Sequence, residues 1–167
     1  MKKYFIYLVF YSVGGFVLER VVNFFFYGGW YDNSVLFGPY QPLYGTGVLI
    51  TIIFYDHFYY KSKLRTYYKD LILLAVAVIA TGLVELITGY GFEIIFNLKL
   101  WDYREFFPCN LRYVCIIPTG IFGIISYLVV KYLHPLFERH LSRVNKWLYY
   151  GLLVIFIIDI VLTLTNL

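Results

Sequence analysis

Five long apolar runs constrain this chain more than any other feature of its sequence. A hydrocarbon core about 30 Å thick is crossed by about 20 mostly apolar residues in a helix. By that length, the sequence predicts membrane spans near residues 4–27, 36–55, 70–96, 112–133 and 147–166. Hydrophobic residues make up 61% of the 167 residues, which is typical of an integral membrane protein. We therefore expect an all-α polytopic fold of about five transmembrane helices in a single domain, 1–167.

The second predicted span begins with sequence that cannot form a regular helix. It opens with Phe37-Gly38-Pro39-Tyr40-Gln41-Pro42, and proline removes a backbone donor and clashes with the preceding turn. Irregular backbone at membrane depth is tolerated only where protein or water surrounds it. The sequence thus predicts an irregular or re-entrant start to this span.

The basic residues predict the orientation in the membrane. The first external loop, 28–35, has none, and the second, 97–111, has only Lys99 and Arg104. The segments assigned to the cytoplasm hold Lys2 and Lys3, then Lys61, Lys63, Arg65 and Lys69, then Lys131, Arg139, Arg143 and Lys146. Positive residues favour the cytoplasmic side, so the N-terminus is expected inside and the C-terminus outside.

Polar residues recur at helical spacing in two of the spans. Helical periodicity places each set on one face, and the two sets are Ser12, Gly15, Glu19 and Asn23 in the first span and Gly82, Glu85, Gly89 and Glu93 in the third. Glycines allow a neighbouring helix to approach. Each face therefore combines close packing with carboxylates inside the membrane.

Acidic residues outnumber basic ones within the predicted spans. Glu19, Glu85 and Asp159, with Glu93 near a span end, stand against Arg20 alone. A buried excess of acid must be protonated, hydrated or matched by a cation. One hypothesis is that one of these carboxyl groups carries a proton or binds a cationic group. The alternative, of equal weight, is structural hydrogen bonding. Arg20 points about 100° from Glu19 around its helix, so Glu85 or a partner subunit is a candidate partner for it.

Two external segments have the composition of a binding region. One, 38–47, is rich in proline and glycine, so its irregular backbone can present amides and carbonyls to a ligand. The other contains Trp101, Asp102, Asn110 and Arg112. With the predicted orientation, both segments face outward, and we expect a single external cavity. Cys109 and Cys115 lie in the same region, where they either form a disulfide or leave Cys115 as a buried thiol.

Five sequence elements follow one another in this chain: Phe16 to Glu19, the Gly-Pro-x-x-Pro-x-Tyr-Gly pattern at 38–45, Glu85, Trp101 to Tyr103, and Asn110 with Arg112 and Cys115. In these elements and their order, the chain resembles a bacterial membrane-protein family, the putative ABC-transporter type IV or CmpB-like proteins. The elements extend over roughly residues 12–123. The resemblance implies a multi-pass protein of the bacterial cytoplasmic membrane that is connected with transport.

Three functions remain open at this point. The first is a membrane component of small-molecule transport or uptake with an outward-facing polar pocket. It would lack its own ATPase, because the chain has no phosphate-binding Gly-x-x-x-x-Gly-Lys-Ser/Thr motif. The second is an intramembrane enzyme acting on a lipid or lipid-linked substrate from the external side, and the third is a structural or regulatory subunit.

The expected binding residues lie on several spans and loops. They are Glu19, Arg20, Tyr44, Glu85, Trp101, Asp102, Asn110 and Arg112. No cofactor or metal is expected, and no basic arm indicates nucleic acid. The expected partners are the lipid bilayer, an unidentified small molecule or lipid, and either separate nucleotide-binding subunits or further copies of this chain.

Overall fold

The computed structural model of the chain is helical throughout most of its length. It describes residues 2–30, 34–105, 107–141 and 146–166, so Arg143 and positions 31–33 of the predicted first external loop lie outside it. Helix accounts for 79% of the structure, and the described residues contain no strand. The helices are α1 (Lys2–Tyr27), α2 (Pro42–Phe54), α3 (Thr66–Phe96), α4 (Ile116–Leu128), α5 (His134–Leu141) and α6 (Lys146–Asn166).

Four helical stretches in the described residues are long and apolar enough to cross a membrane. They are Lys2–Phe25, Thr66–Phe96, Ile116–Arg139 and Lys146–Asn166. The protein is therefore an all-α polytopic membrane protein. The second predicted span differs from these four. Its helix begins only at Pro42, after the irregular start that the sequence predicts. It then continues into a π-helical turn, Tyr55–Tyr59.

The structure changes two details of the predicted spans. The fourth helix begins at Ile116 rather than at residue 112, because Cys115 before it has an extended backbone. A second π-helical turn, Val129–Leu133, then joins α4 to α5. The apolar pattern of the sequence does not predict a π turn. Such a turn differs from an α-helical one by a hydrogen bond that spans one more residue, and it needs no particular amino acids.

The chain divides into two compact units. The first comprises residues 1–46 and 140–167, and the second comprises residues 47–139. The expectation of a single transmembrane domain stays a prediction.

In the first unit, α1 packs beside α6 around a small aromatic core. Val9, Tyr40 and Phe156 are buried at its centre. The rings of Tyr40 and Phe156 lie 5.3 Å apart, and those of Phe5 and Phe156 lie 5.9 Å apart. The segment before α2 therefore belongs to the core of this unit.

In the second unit, α3 and α4 form a closely packed helix pair. A Cβ atom added at Gly123 of α4 would lie 2.6 Å from the Cα of Val78 in α3, so the two backbones approach closely there. The α2 helix joins them through hydroxyl groups, since Ser126 donates a hydrogen bond of 3.1 Å to Thr51. At the start of α3, Asp70 forms an ion pair of 2.6 Å with Lys131.

Candidate functional site

The final turns of α3 meet the segment before α4 in a polar contact centred on Glu93. Arg112 forms an ion pair with one carboxylate oxygen of Glu93. The hydroxyl of Tyr113 donates a 2.9 Å hydrogen bond to the other oxygen. Both oxygens are thus engaged by consecutive residues, which fixes the segment against the helix.

Asp102 extends this contact into the preceding loop. Its carboxylate lies 3.4 Å from Nε of Arg112 and accepts hydrogen bonds of 2.9 and 3.1 Å from Nε of Arg104. The side-chain hydrogen bond from Arg104 is the main cause that lowers the pKa of Asp102 to about 2, and the Arg104 backbone amide adds to it. The loop therefore holds an ionised carboxylate between two guanidinium groups.

Trp101 packs on the same segment. Its indole nitrogen donates a 3.2 Å hydrogen bond to the backbone carbonyl of Tyr113, and the two rings lie edge to face at 5.8 Å. Tyr113 is fully buried between Trp101 and α3. Three of the predicted site residues, Trp101, Asp102 and Arg112, are thus brought together by the structure.

A disulfide closes the segment that carries Arg112 and Tyr113. Cys109 and Cys115 are bonded, with their Cα atoms 5.1 Å apart. Of the two alternatives that the sequence left open, the disulfide is therefore the correct one. Asn110 lies between them and is exposed.

Glu85 lies two helical turns before Glu93, inside the membrane-spanning part of α3. Its side chain is 1% exposed, and it accepts a 2.5 Å hydrogen bond from the Thr119 hydroxyl of α4. Among the described residues, no basic side chain forms an ion pair with it. Glu85 is therefore a buried carboxyl group whose partner is a neutral hydroxyl.

The shared face predicted for the third span is confirmed. A Cβ atom added at Gly89 would lie 2.3 Å from Cγ of Tyr113, and one at Gly82 would lie 3.1 Å from Cγ2 of Thr119. These glycines therefore let the segment 113–119 lie directly on the face that also carries both glutamates.

Asp159 has a structural role in the first unit. Its carboxylate accepts hydrogen bonds of 3.1 Å from the amide of Phe37 and 3.2 Å from that of Gly38. The side chain of Tyr40 also hydrogen-bonds to it. Three neutral donors thus satisfy this acid, and the irregular segment before α2 is fastened to α6.

The face predicted for the first span packs against the start of α2. A Cβ atom at Gly15 would lie 2.3 Å from Cβ of Tyr44, and one at Gly45 would lie 2.1 Å from the hydroxyl oxygen of Ser12. The amide of Gln41 also donates a 2.9 Å hydrogen bond to the carbonyl of Ser12. Tyr44 therefore acts in helix packing here.

The adjacent charged residues Glu19 and Arg20 lie on α1 in the first unit. Both side chains are partly buried, and the Arg20 guanidinium carbon lies 4.3 Å from the ring centre of Phe16. Glu85 lies in the other unit. The pairing of Arg20 with Glu85 or with a partner subunit stays a prediction.

Sequence reasoning missed two residues of the site. The sequence does not single out Tyr113, because tyrosine is common at membrane interfaces, although its place beside Arg112 is a usable signal. Thr119 carries no signal of its own, since a hydroxyl in an apolar helix usually bonds to its own backbone. Only the packing of α4 on α3 reveals it.

The fold and the polar contacts define a polytopic helical membrane protein with buried carboxyl groups. Its sequence matches the family model described as putative ABC-transporter type IV over residues 6–164, and the chain belongs to that family. Searches of curated proteins and of solved structures gave no match.

Proposed function

We propose that this chain is a membrane component of small-molecule transport or uptake in the bacterial cytoplasmic membrane. It lacks its own ATPase and works with separate nucleotide-binding subunits. Membership of the family supports a connection with transport, and the missing phosphate-binding motif supports the need for a partner.

The observation that carries this proposal is the arrangement of polar groups along one face of α3. Asp102 and Arg112 of the loop meet Glu93 at the end of the helix. The buried Glu85, whose described partner is a neutral hydroxyl, lies two turns nearer the middle of α3. An ionisable group inside a membrane is by default a functional candidate. A charged entrance followed by a buried carboxyl group suits a solute that enters from outside.

The disulfide supports the side from which the solute arrives. Disulfides form and persist in oxidising compartments and are rare in the cytosol. The Cys109–Cys115 bond therefore favours an external position for the loop that carries Arg112, in agreement with the distribution of basic residues. An outward-facing polar pocket is part of the proposal, and Glu19, Arg20, Tyr44 and Asn110 are further proposed binding residues.

The test is uptake by proteoliposomes that contain the purified protein, alone and with candidate ATPase subunits. Radiolabelled cationic, anionic and zwitterionic solutes serve as probes. We expect flux that depends on the chain and falls clearly in Arg112→Gln and Glu93→Gln. Absence of both binding and flux for all pairings would contradict the proposal.

The second unit offers a matched control. The Lys131–Asp70 ion pair is as exposed as the Arg112–Glu93 pair, with side-chain exposures of 19% and 22% against 22% and 22%. It lies near the other end of α3, and its predicted side is cytoplasmic. We expect Lys131→Met to retain uptake. An equal loss in both variants would indicate a general effect of breaking ion pairs.

A further inference from the structure

Glu85 is a fully buried titratable group with a single described hydrogen-bond partner. It is buried, it faces α4, and the hydroxyl of Thr119 is its hydrogen-bond donor. One neutral donor leaves the second carboxyl oxygen without a described partner. A carboxylate in this position would bear the full cost of desolvation, so a positive species must accompany the charge.

Within the second unit, the described charged and titratable groups near Glu85 do not supply that species. On its own helix, Glu93 is already paired with Arg112, and Tyr90 lies against the ring of Tyr113. From α4, the described contact with the Glu85 carboxyl group is the neutral hydroxyl of Thr119.

A metal ion fits this site poorly. Calcium takes six to eight oxygen ligands, and magnesium requires near-octahedral geometry. Within the described ranges, no three His, Cys, Asp or Glu side chains come together. Glu85 and Thr119 provide one carboxyl group and one hydroxyl, which suffices for a single proton.

The site is closed differently on its two sides. Towards the start of α3, the close approach of Gly123 to the Val78 backbone seals the helix pair. Towards Glu93, the ring of Tyr113 lies directly on Gly89 and covers this face of α3. Backbone contacts cannot open without separating the helices, whereas a tyrosine can rotate once its hydrogen bond to Glu93 breaks.

We propose that Glu85 binds one exchangeable proton and that Tyr113, lying on Gly89, closes this proton site from the external side. The inference rests on the proposed transport function for its use, which is to couple proton movement to a solute. Its tests need only the purified chain in lipid, so proton binding can be found even where no transport is detected.

The first experiment detects the proton directly. Infrared spectra of the reconstituted chain are compared with those of Glu85→Gln at acidic and alkaline pH. We expect the carbonyl band of a protonated carboxyl group in the wild-type chain, lost at alkaline pH and absent from Glu85→Gln. Asp70→Asn, at the far end of α3, keeps the band. No difference between wild type and Glu85→Gln would overturn the proton site.

The second experiment tests the closure by Tyr113. Transfer into D₂O shifts the same carboxyl band, and the rate of this shift reports access of water to Glu85. We expect exchange to be at least several-fold faster in Tyr113→Ala. In Tyr113→Phe, which keeps the ring over Gly89 but lacks the hydrogen bond to Glu93, the exchange rate should lie between those of the wild type and Tyr113→Ala. Equal rates in wild type and Tyr113→Ala would overturn the closure.

A third measurement adds the side of access. In a Thr119→Cys variant, a membrane-impermeant thiosulfonate is applied from outside, where the bonded native cysteines do not react. We expect labelling to require Tyr113→Ala. Leu111→Cys, in the exposed part of the same loop, should react equally with or without that change. Labelling of Thr119→Cys at the same rate with Tyr113 in place would also overturn the closure.

Discussion

At the scale of single residues, two glycines near the end of α3 differ in how much space a side chain would have. Gly89 lies under the Tyr113 ring, whereas a Cβ atom added at Gly91 would have nothing within 4 Å. We expect Gly89→Ala to cost about 1–3 kcal/mol through overpacking. Gly91→Ala should be neutral or gain up to about 1 kcal/mol, because alanine favours the helix. The measurement is the free energy of unfolding in mixed micelles, and equal effects at both positions would contradict the packing.

A second prediction at this scale concerns Asp159. Replacing it with alanine leaves the partly buried amides of Phe37 and Gly38 without their acceptor. Because an unsatisfied buried group costs about 1–3 kcal/mol, we expect Asp159→Ala to lower the free energy of unfolding by about 1–3 kcal/mol, with Asp159→Asn intermediate. Thr165→Val is the control, since Thr165 is exposed on the same helix and its hydroxyl donates to the Leu162 carbonyl within that helix. An unchanged free energy of unfolding in Asp159→Ala would show that the hydrogen bonds to Phe37 and Gly38 do not stabilise the fold.

Single residues also mark where sequence reasoning ends. The shared face from Gly82 to Glu93 follows from helical periodicity, which is a local property. The partners of Asp159 cannot be predicted in this way. They are backbone amides more than 120 positions away, and every residue except proline has such an amide. Likewise, a separation of six residues permits a disulfide between Cys109 and Cys115 without requiring one.

At the scale of elements, the loop between α3 and α4 is held by charge as well as by the disulfide. The hydrogen bond from Arg104 lowers the pKa of Asp102 to about 2. Because this pKa lies below its ordinary value of 3.8, the stabilisation is complete above about pH 4 and is lost as the pH falls through 2. We expect the carboxyl carbon of Asp102 to titrate in that range by NMR. In Arg104→Gln its pKa should move upwards, and an unchanged titration would exclude Arg104 as the cause.

The elements differ in how well the sequence predicted them. Four helices have the length and apolar composition of spans, and both properties can be read from the chain. The start of α2 is also predictable, because proline at residue 42 permits a first helical turn but not an earlier one. The ion pairs of the loop are harder to predict from the sequence. They join residues 93, 102, 104 and 112, which meet only because α4 packs against α3.

At the scale of the whole molecule, the remaining question is which side of the membrane each loop faces. The basic residues and the disulfide give independent reasons to place residues 97–115 outside. In intact cells, an impermeant reductant followed by an impermeant maleimide should therefore label Cys109 and Cys115. Without the reductant we expect no labelling, because both thiols are bonded.

The opposite side needs its own reporter in the same experiment. Ser62→Cys, in the basic loop before α3, replaces one small side chain with another and leaves all the lysines in place. We expect its maleimide labelling only after the cells are permeabilised. If Ser62→Cys labels in intact cells while the disulfide loop does not, the orientation is inverted. Arg112 and Asp102 would then face the cytoplasm, and Tyr113 would close Glu85 from that side. The infrared band of Glu85 would be unaffected, because it depends on the packing of α4 on α3 and not on the orientation of the pair.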